Sequence, residues 1–135
     1  MRLSRCHVAL FVVAALAGAG SVMSYAAAPG PMVVGMAKFP ITVKAGDYNL
    51  IAQVIDLPPG AVVPRHTHGG PVAVQVITGE VTLTTDSGST TVKAGGMFTE
   101  NPGLVHSAAN KGSVTTRVAV AYLIPKGAEV TSLVK

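Results

Sequence analysis

Val72-Ala73-Val74-Gln75-Val76-Ile77-Thr78-Gly79-Glu80-Val81-Thr82-Leu83-Thr84-Thr85-Asp86-Ser87-Gly88-Ser89 is the stretch that decides the fold class. Val72 to Thr78 is a run rich in β-branched residues, and Gly79-Glu80 turns it into a second run, Val81 to Thr85. Asp86-Ser87-Gly88-Ser89 then supplies the next hairpin turn. Downstream, Thr90 to Lys93 pairs back, Ala94-Gly95-Gly96 turns, and Met97 to Glu100 runs into Asn101-Pro102-Gly103. His106 to Asn110, a turn at Lys111-Gly112-Ser113 and the long run Thr115 to Ile124 follow. Pro125-Lys126-Gly127 opens a tail, residues 127–135, in which weak structure is expected.

Upstream, Tyr48 to Leu57 alternates Leu50, Ala52 and Val54 against Asn49, Ile51 and Gln53, and Pro58-Pro59-Gly60 closes it. Met32 to Met36 and Phe39 to Val43 are shorter apolar runs interrupted by Gly35 and Pro40, and read as strands near a sheet edge within a lead-in over residues 27–48. No segment carries a helical apolar stripe of useful length. Roughly ten short strands separated by turns predict an all-β sandwich or barrel.

With 135 residues, 49% of them hydrophobic and 12% charged, the chain has the makings of one ordered domain. Part of the apolarity belongs to the N-terminus. Arg2 and Arg5 precede an apolar run from Val8 to Ala19, and Ser24-Tyr25-Ala26 reads as an A-x-A-like cleavage site. The expectation is a signal peptide over residues 1–26, cut after Ala26 or alternatively Ala28, and a periplasmic or secreted protein. An uncleaved anchor is the competing reading. Cys6 lies ahead of the apolar run, the wrong side for a lipoprotein. Cleavage removes the only cysteine, so a buried core or a metal, not a disulfide, must hold the domain. It also removes two of ten basic residues and leaves a small positive charge. Without a basic cluster, nucleic-acid binding has no support. No stable membrane span remains after cleavage.

The chemistry-bearing residues lie in Gly60-Ala61-Val62-Val63-Pro64-Arg65-His66-Thr67-His68. Residues two apart on a strand face the same way, so His66 and His68 present two imidazoles together. Pro102-Gly103-Leu104-Val105-His106 adds a third ring where a turn hands over to a strand. These are the only histidines left after cleavage, and three imidazoles suit a divalent first-row ion such as Fe, Mn, Zn, Ni or Cu. Gly60, Gly79 and Gly103 read as backbone-geometry positions. Arg65, Arg117 and Gln75 are candidates for contact with a small-molecule substrate, Arg117 through its planar fork of donors. Glu100 could partner an imidazole N–H, with a solvated turn residue as the preferred reading. Tyr48 and Tyr122 read as packing residues by default.

Residues 49–126 resemble the small single-domain cupins, which fold as a jelly roll, or double-stranded β-helix. Gly60, His66, His68 and Gly79 fall on the first cupin motif; Gly95, Pro102, Gly103, His106 and Asn110 fall on the second. The motif's glutamate is missing, since its expected positions are Val72 and Ala73. The resemblance therefore implies a three-histidine metal site, His66, His68 and His106, in which the ion keeps its full charge and about three open positions if octahedral. Three-histidine cupins include iron dioxygenases, which makes oxidative chemistry on a small organic substrate the leading expectation. A non-catalytic metal or small-ligand module is the alternative. The resemblance also implies a homodimer, with the Met32 to Val43 runs as candidates for its interface.

Overall fold

Alternation with a period of two governs the interior. The computed structural model describes residues 31–135, and the leader expected over residues 1–26 lies outside them. Among the described residues there are nine strands and no helix. They are β1 (Tyr48–Leu57), β2 (Val62–Thr67), β3 (Val72–Thr78), β4 (Glu80–Thr85), β5 (Gly88–Lys93), β6 (Met97–Glu100), β7 (His106–Ala109), β8 (Thr116–Pro125) and β9 (Ser132–Leu133). The reading from sequence placed the first eight to within about two residues, a margin ordinary for strand ends.

The strands form two sheets, β1-β8-β3-β6 and β5-β4-β7-β2-β9, with every pairing antiparallel. Sequence neighbours such as β2 and β3 fall in opposite sheets, which is the jelly-roll pattern of a double-stranded β-helix. Val72, Val74 and Val76 of β3 and Val118, Val120, Tyr122 and Ile124 of β8 point inward and pack with Val81 and Leu57. Each fully buried aliphatic side chain stabilises the fold by about 1.5–3 kcal/mol. On β1 the other parity is solvent-facing, so Leu50 and Val54 lie exposed on the outer face while Ile51, Ile55 and Leu57 pack against the core.

Two parts differ from expectation. Residues 31–47 contain no strand, and Met32, Val33, Val34 and Met36 are exposed. The outer edge of β1 therefore stays unpaired by them; glycine and proline interrupt each run before a ladder can form. The tail, in contrast, is paired: β9 lies against β2, with His66 opposite Leu133 and Thr67 opposite Ser132.

A polar lock closes the interior beyond the C-terminal end of β7. Asn110, 1% exposed, donates from Nδ2 to the carbonyls of Leu57 (2.8 Å) and Val114 (2.7 Å), and its Oδ1 accepts from the Gly112 amide at 2.9 Å. Thr116, fully buried, donates to the Glu80 carbonyl at 2.6 Å and accepts from the Glu80 amide at 3.0 Å. Gly79 sits against it with φ 72°, and a Cβ there would come within 2.6 Å of the Thr116 hydroxyl. Only glycine meets both conditions without strain.

Candidate metal centre

His66 on β2 stands directly opposite His106 on β7, and their ring centroids are 4.2 Å apart. His68 follows the end of β2, its ring 4.8 Å from His66 and 5.2 Å from His106. All three are buried, and their nearest ring nitrogens lie within 4.8 Å of one another. The pairing of two distant strands thus delivers what the H-x-H spacing and the later histidine suggested.

The outer nitrogen of each ring is fixed by a carbonyl. His66 Nδ1 is 2.6 Å from the Pro64 oxygen and His106 Nδ1 is 2.9 Å from that of Leu104. His68 Nδ1 is 2.7 Å from the Val130 oxygen, with the Thr131 hydroxyl at 3.3 Å. A carbonyl only accepts, so each Nδ1 carries the proton and donates it. Each Nε2 is then left with a bare lone pair directed to the centre of the group. Gly69 makes room for the tail that holds His68, because a Cβ there would lie 2.5 Å from the Glu129 carbonyl.

Glu100 ends β6 inside the barrel, 6% exposed, and is not the solvated turn residue expected. Its Oε2 is 3.1 Å from His68 Nε2 and its Oε1 is 3.2 Å from His106 Nε2. His106 Nε2 is fully enclosed and has no aligned hydrogen-bond partner, so its closeness to Glu100 is electrostatic rather than a directed bond. Lone pairs and a carboxylate facing each other at this range demand a positive charge between them. In the metal-free protein protons supply it. Burial pushes the Glu100 carboxyl up, but His106 and His68 outweigh that and hold it at about 2. Burial lowers His106, yet Glu100 and the Leu104 carbonyl raise it overall. His66 ends below its ordinary value because burial outweighs the Pro64 carbonyl, and its two ring neighbours add to the lowering. A divalent ion answers the same need, and a neutral-imidazole and carboxylate donor set suits one.

The group borders an interior cavity of about 290 Å³. Leu57, Val63, Val74, Phe98, Val118 and Val120 make its apolar wall. Tyr122 stands beside His68 with ring centroids 5.4 Å apart; burial and then the Glu100 charge raise its hydroxyl pKa. Gln53 also lines the cavity while remaining exposed, marking its open side. Its parity with Ile51 and Ile55 was the available signal for this position.

Other sequence candidates lie elsewhere. Gln75 faces outward, since β3 turns Val74 and Val76 into the core and the next residue to the opposite face. Arg117 also faces outward, its guanidinium bound to both Asp56 carboxylate oxygens at 2.7 Å. Neither lines the cavity, so Arg117 and Gln75, expected from sequence to contact substrate, are not brought together with the histidines. Arg65 pairs on the surface with Asp86 at 2.8 Å. Tyr48 bonds through its hydroxyl to the Lys44 carbonyl, at a distance from the site chemistry.

The model of the cupin domain family matches residues 53–122, a span that includes all three histidines and Glu100. The chain belongs to the cupin family. No protein of curated function matches it. Among solved structures, this cupin is similar to a double-stranded β-helix protein from Klebsiella pneumoniae, at 26% identity over 67% of this chain and 79% of that one, with a TM-score of 0.55. It shares its fold with the polyketide cyclase RemF from Streptomyces resistomycificus, at 20% identity over 67% of this chain and 63% of that one, with a TM-score of 0.57. It also shares it with a Streptococcus pyogenes protein at 21% identity over 63% and 71%, with a TM-score of 0.53. Among the described residues no helix is long and apolar enough to cross a membrane.

Proposed function

We propose that this cupin holds one divalent metal ion through His66, His68 and His106 and acts as a mononuclear non-haem dioxygenase on a small, largely apolar organic substrate. The observation that carries the reading is the convergence of three Nε2 lone pairs whose rings are locked from behind by backbone carbonyls. When bound, a redox-active ion of this kind supplies dioxygen activation, and any divalent ion supplies polarisation of a substrate oxygen. The valine-rich wall excludes water and favours an apolar substrate body. Tyr122, with its proton held more firmly than usual, can donate a hydrogen bond to a substrate oxygen beside His68. A volume near 290 Å³ limits the substrate to a small molecule.

The second reading, a non-catalytic metal or small-ligand binder, is favoured by one observation. Beyond His66, His68 and Glu100, Tyr122 is the only titratable side chain among the described residues that line the cavity. Metal analysis of the purified protein followed by oxygen uptake with diketones, thiols and flavonoids separates the two. Bound iron with substrate-dependent uptake supports the dioxygenase. Tightly bound zinc without turnover supports the binder, and absence of any metal after reconstitution overturns the dioxygenase and leaves only a metal-free small-ligand binder.

The proposal includes export to the periplasm or beyond, on the strength of the leader pattern at residues 1–26. N-terminal sequencing of the mature protein is expected to begin at Ala27; a start at Met1 in the cytoplasmic fraction overturns it.

A further inference from the structure

We infer that Glu100 is a fourth metal ligand, a carboxylate delivered from the strand beside the one on which the cupin pattern carries it. This rests on the metal-binding reading above and adds the ligand that sets the charge of the site. The pattern expects its glutamate at Val72 or Ala73. Ala73 faces outward, whereas Val72 points into the barrel at 1% exposed. In the β3–β6 ladder Val72 stands directly opposite Glu100. Directly opposed residues project to the same face with Cβ atoms about 4.5–5.5 Å apart, within the span of a glutamate side chain. A carboxylate rooted at 100 therefore reaches the space that one rooted at 72 would fill, and valine at 72 leaves that space free.

The side of the rings on which Glu100 lies distinguishes a ligand from a support. A carboxylate that merely orients an imidazole binds Nδ1, and here carbonyls hold all three Nδ1 atoms. Glu100 instead meets the Nε2 side, one oxygen toward each of two rings, at 3.1 and 3.2 Å. Neighbouring donors around one ion, each bonded at about 2.0–2.2 Å, are separated by roughly 2.8–3.1 Å in octahedral geometry and roughly 3.3–3.6 Å in tetrahedral geometry, and the two Glu100 contacts fall between these ranges. Among the described residues, no lysine or arginine lines the cavity to balance the buried anion.

The carboxylate lowers the net charge of a divalent site to about +1 and leaves roughly two open positions on an octahedral ion. On tetrahedral zinc it leaves none, which would make zinc a structural guest and reserve turnover for an octahedral ion.

The test titrates Co(II) into the full chain and its variants, reading affinity by chelator competition and coordination by the visible ligand-field bands. Wild type is expected to bind one equivalent. Glu100→Gln and Glu100→Ala should weaken binding by more than about 100-fold, beyond the loss of an outer-sphere partner, and alter the bands. Val72→Glu combined with Glu100→Val should recover affinity and spectrum. Wild-type affinity and bands in both single variants, with loss in His106→Ala, would overturn the inference and leave the three-histidine reading standing. No Co(II) binding by wild type overturns that reading and the inference with it. Glu100→Gln, nearly isosteric, decides the matter if the relocation variant does not fold.

Discussion

The two ends of β7 carry buried polar groups of opposite kinds. At one end Asn110 has both donors and its acceptor matched to backbone groups, with Thr116 bonded twice to Glu80 beside it. At the other end His106 is as deeply buried, yet its Nε2 faces a carboxylate and two further bare nitrogens with nothing aligned to it. Burial alone does not separate structure from function. Satisfaction does: the closed cluster stabilises the fold by itself, and the open one is stable only with an added positive charge.

The largest expected effect breaks the closed end. Asn110→Ala strands two carbonyls and an amide, and should cost about 3 kcal/mol or more by urea denaturation, equally with and without metal. Next, at a free metal concentration of 100 times Kd, wild type should gain about 2.7 kcal/mol over the chelated protein. Asn110→Ala should keep that increment and His106→Ala should lose it. Equal metal responses in the two variants would erase the distinction between the ends.

The tail sharpens the comparison further. Deleting residues 129–135 removes the Val130 carbonyl from His68 and should weaken metal binding by about 10–100-fold while leaving the Asn110 end intact. Unchanged affinity in calorimetry would show that His68 needs no such support. In the metal-free protein, Glu100 sits below its ordinary carboxyl value of 4.5, at about 2. Its stabilisation is therefore full above the unfolded value and lost as pH falls from about 4.5 toward 2. His106 is raised and loses its contribution as pH climbs through its folded value, while His66 is lowered and works in the opposite sense near neutrality. The acid arm is the cleaner signal, and Glu100→Gln should flatten it in acid titrations followed by circular dichroism. The smallest effect belongs to Arg117→Ala on the exposed outer face, which should leave the urea midpoint and the metal content essentially unchanged.

What was legible in the chain was whatever period and spacing can carry. The alternation in Val72–Thr78 and Thr116–Pro125 marked the inner face, and the histidine spacing with the later turn marked the rings. Glu100 escaped because its role depends on the β3–β6 register, which sets it opposite Val72 and which no local pattern records. The hold on His68 escaped for the same reason, as Val130 lies 62 residues away. Arg117 and Gln75 were attractive by chemistry alone, and a one-residue change of parity put both outside the barrel. On β1 both parities are apolar, with Leu50, Ala52 and Val54 on one and Ile51, Ile55 and Leu57 on the other, so hydrophobicity by itself gave no sign of which side was inner.

The reach from His68 to Val130 also sets an order of events. A chain emerging from the ribosome, or threaded unfolded through a translocon, cannot clamp its second histidine until residues 129–133 have arrived and zipped onto β2. Full affinity for an ion at the three rings is thereby expected only once the tail is seated.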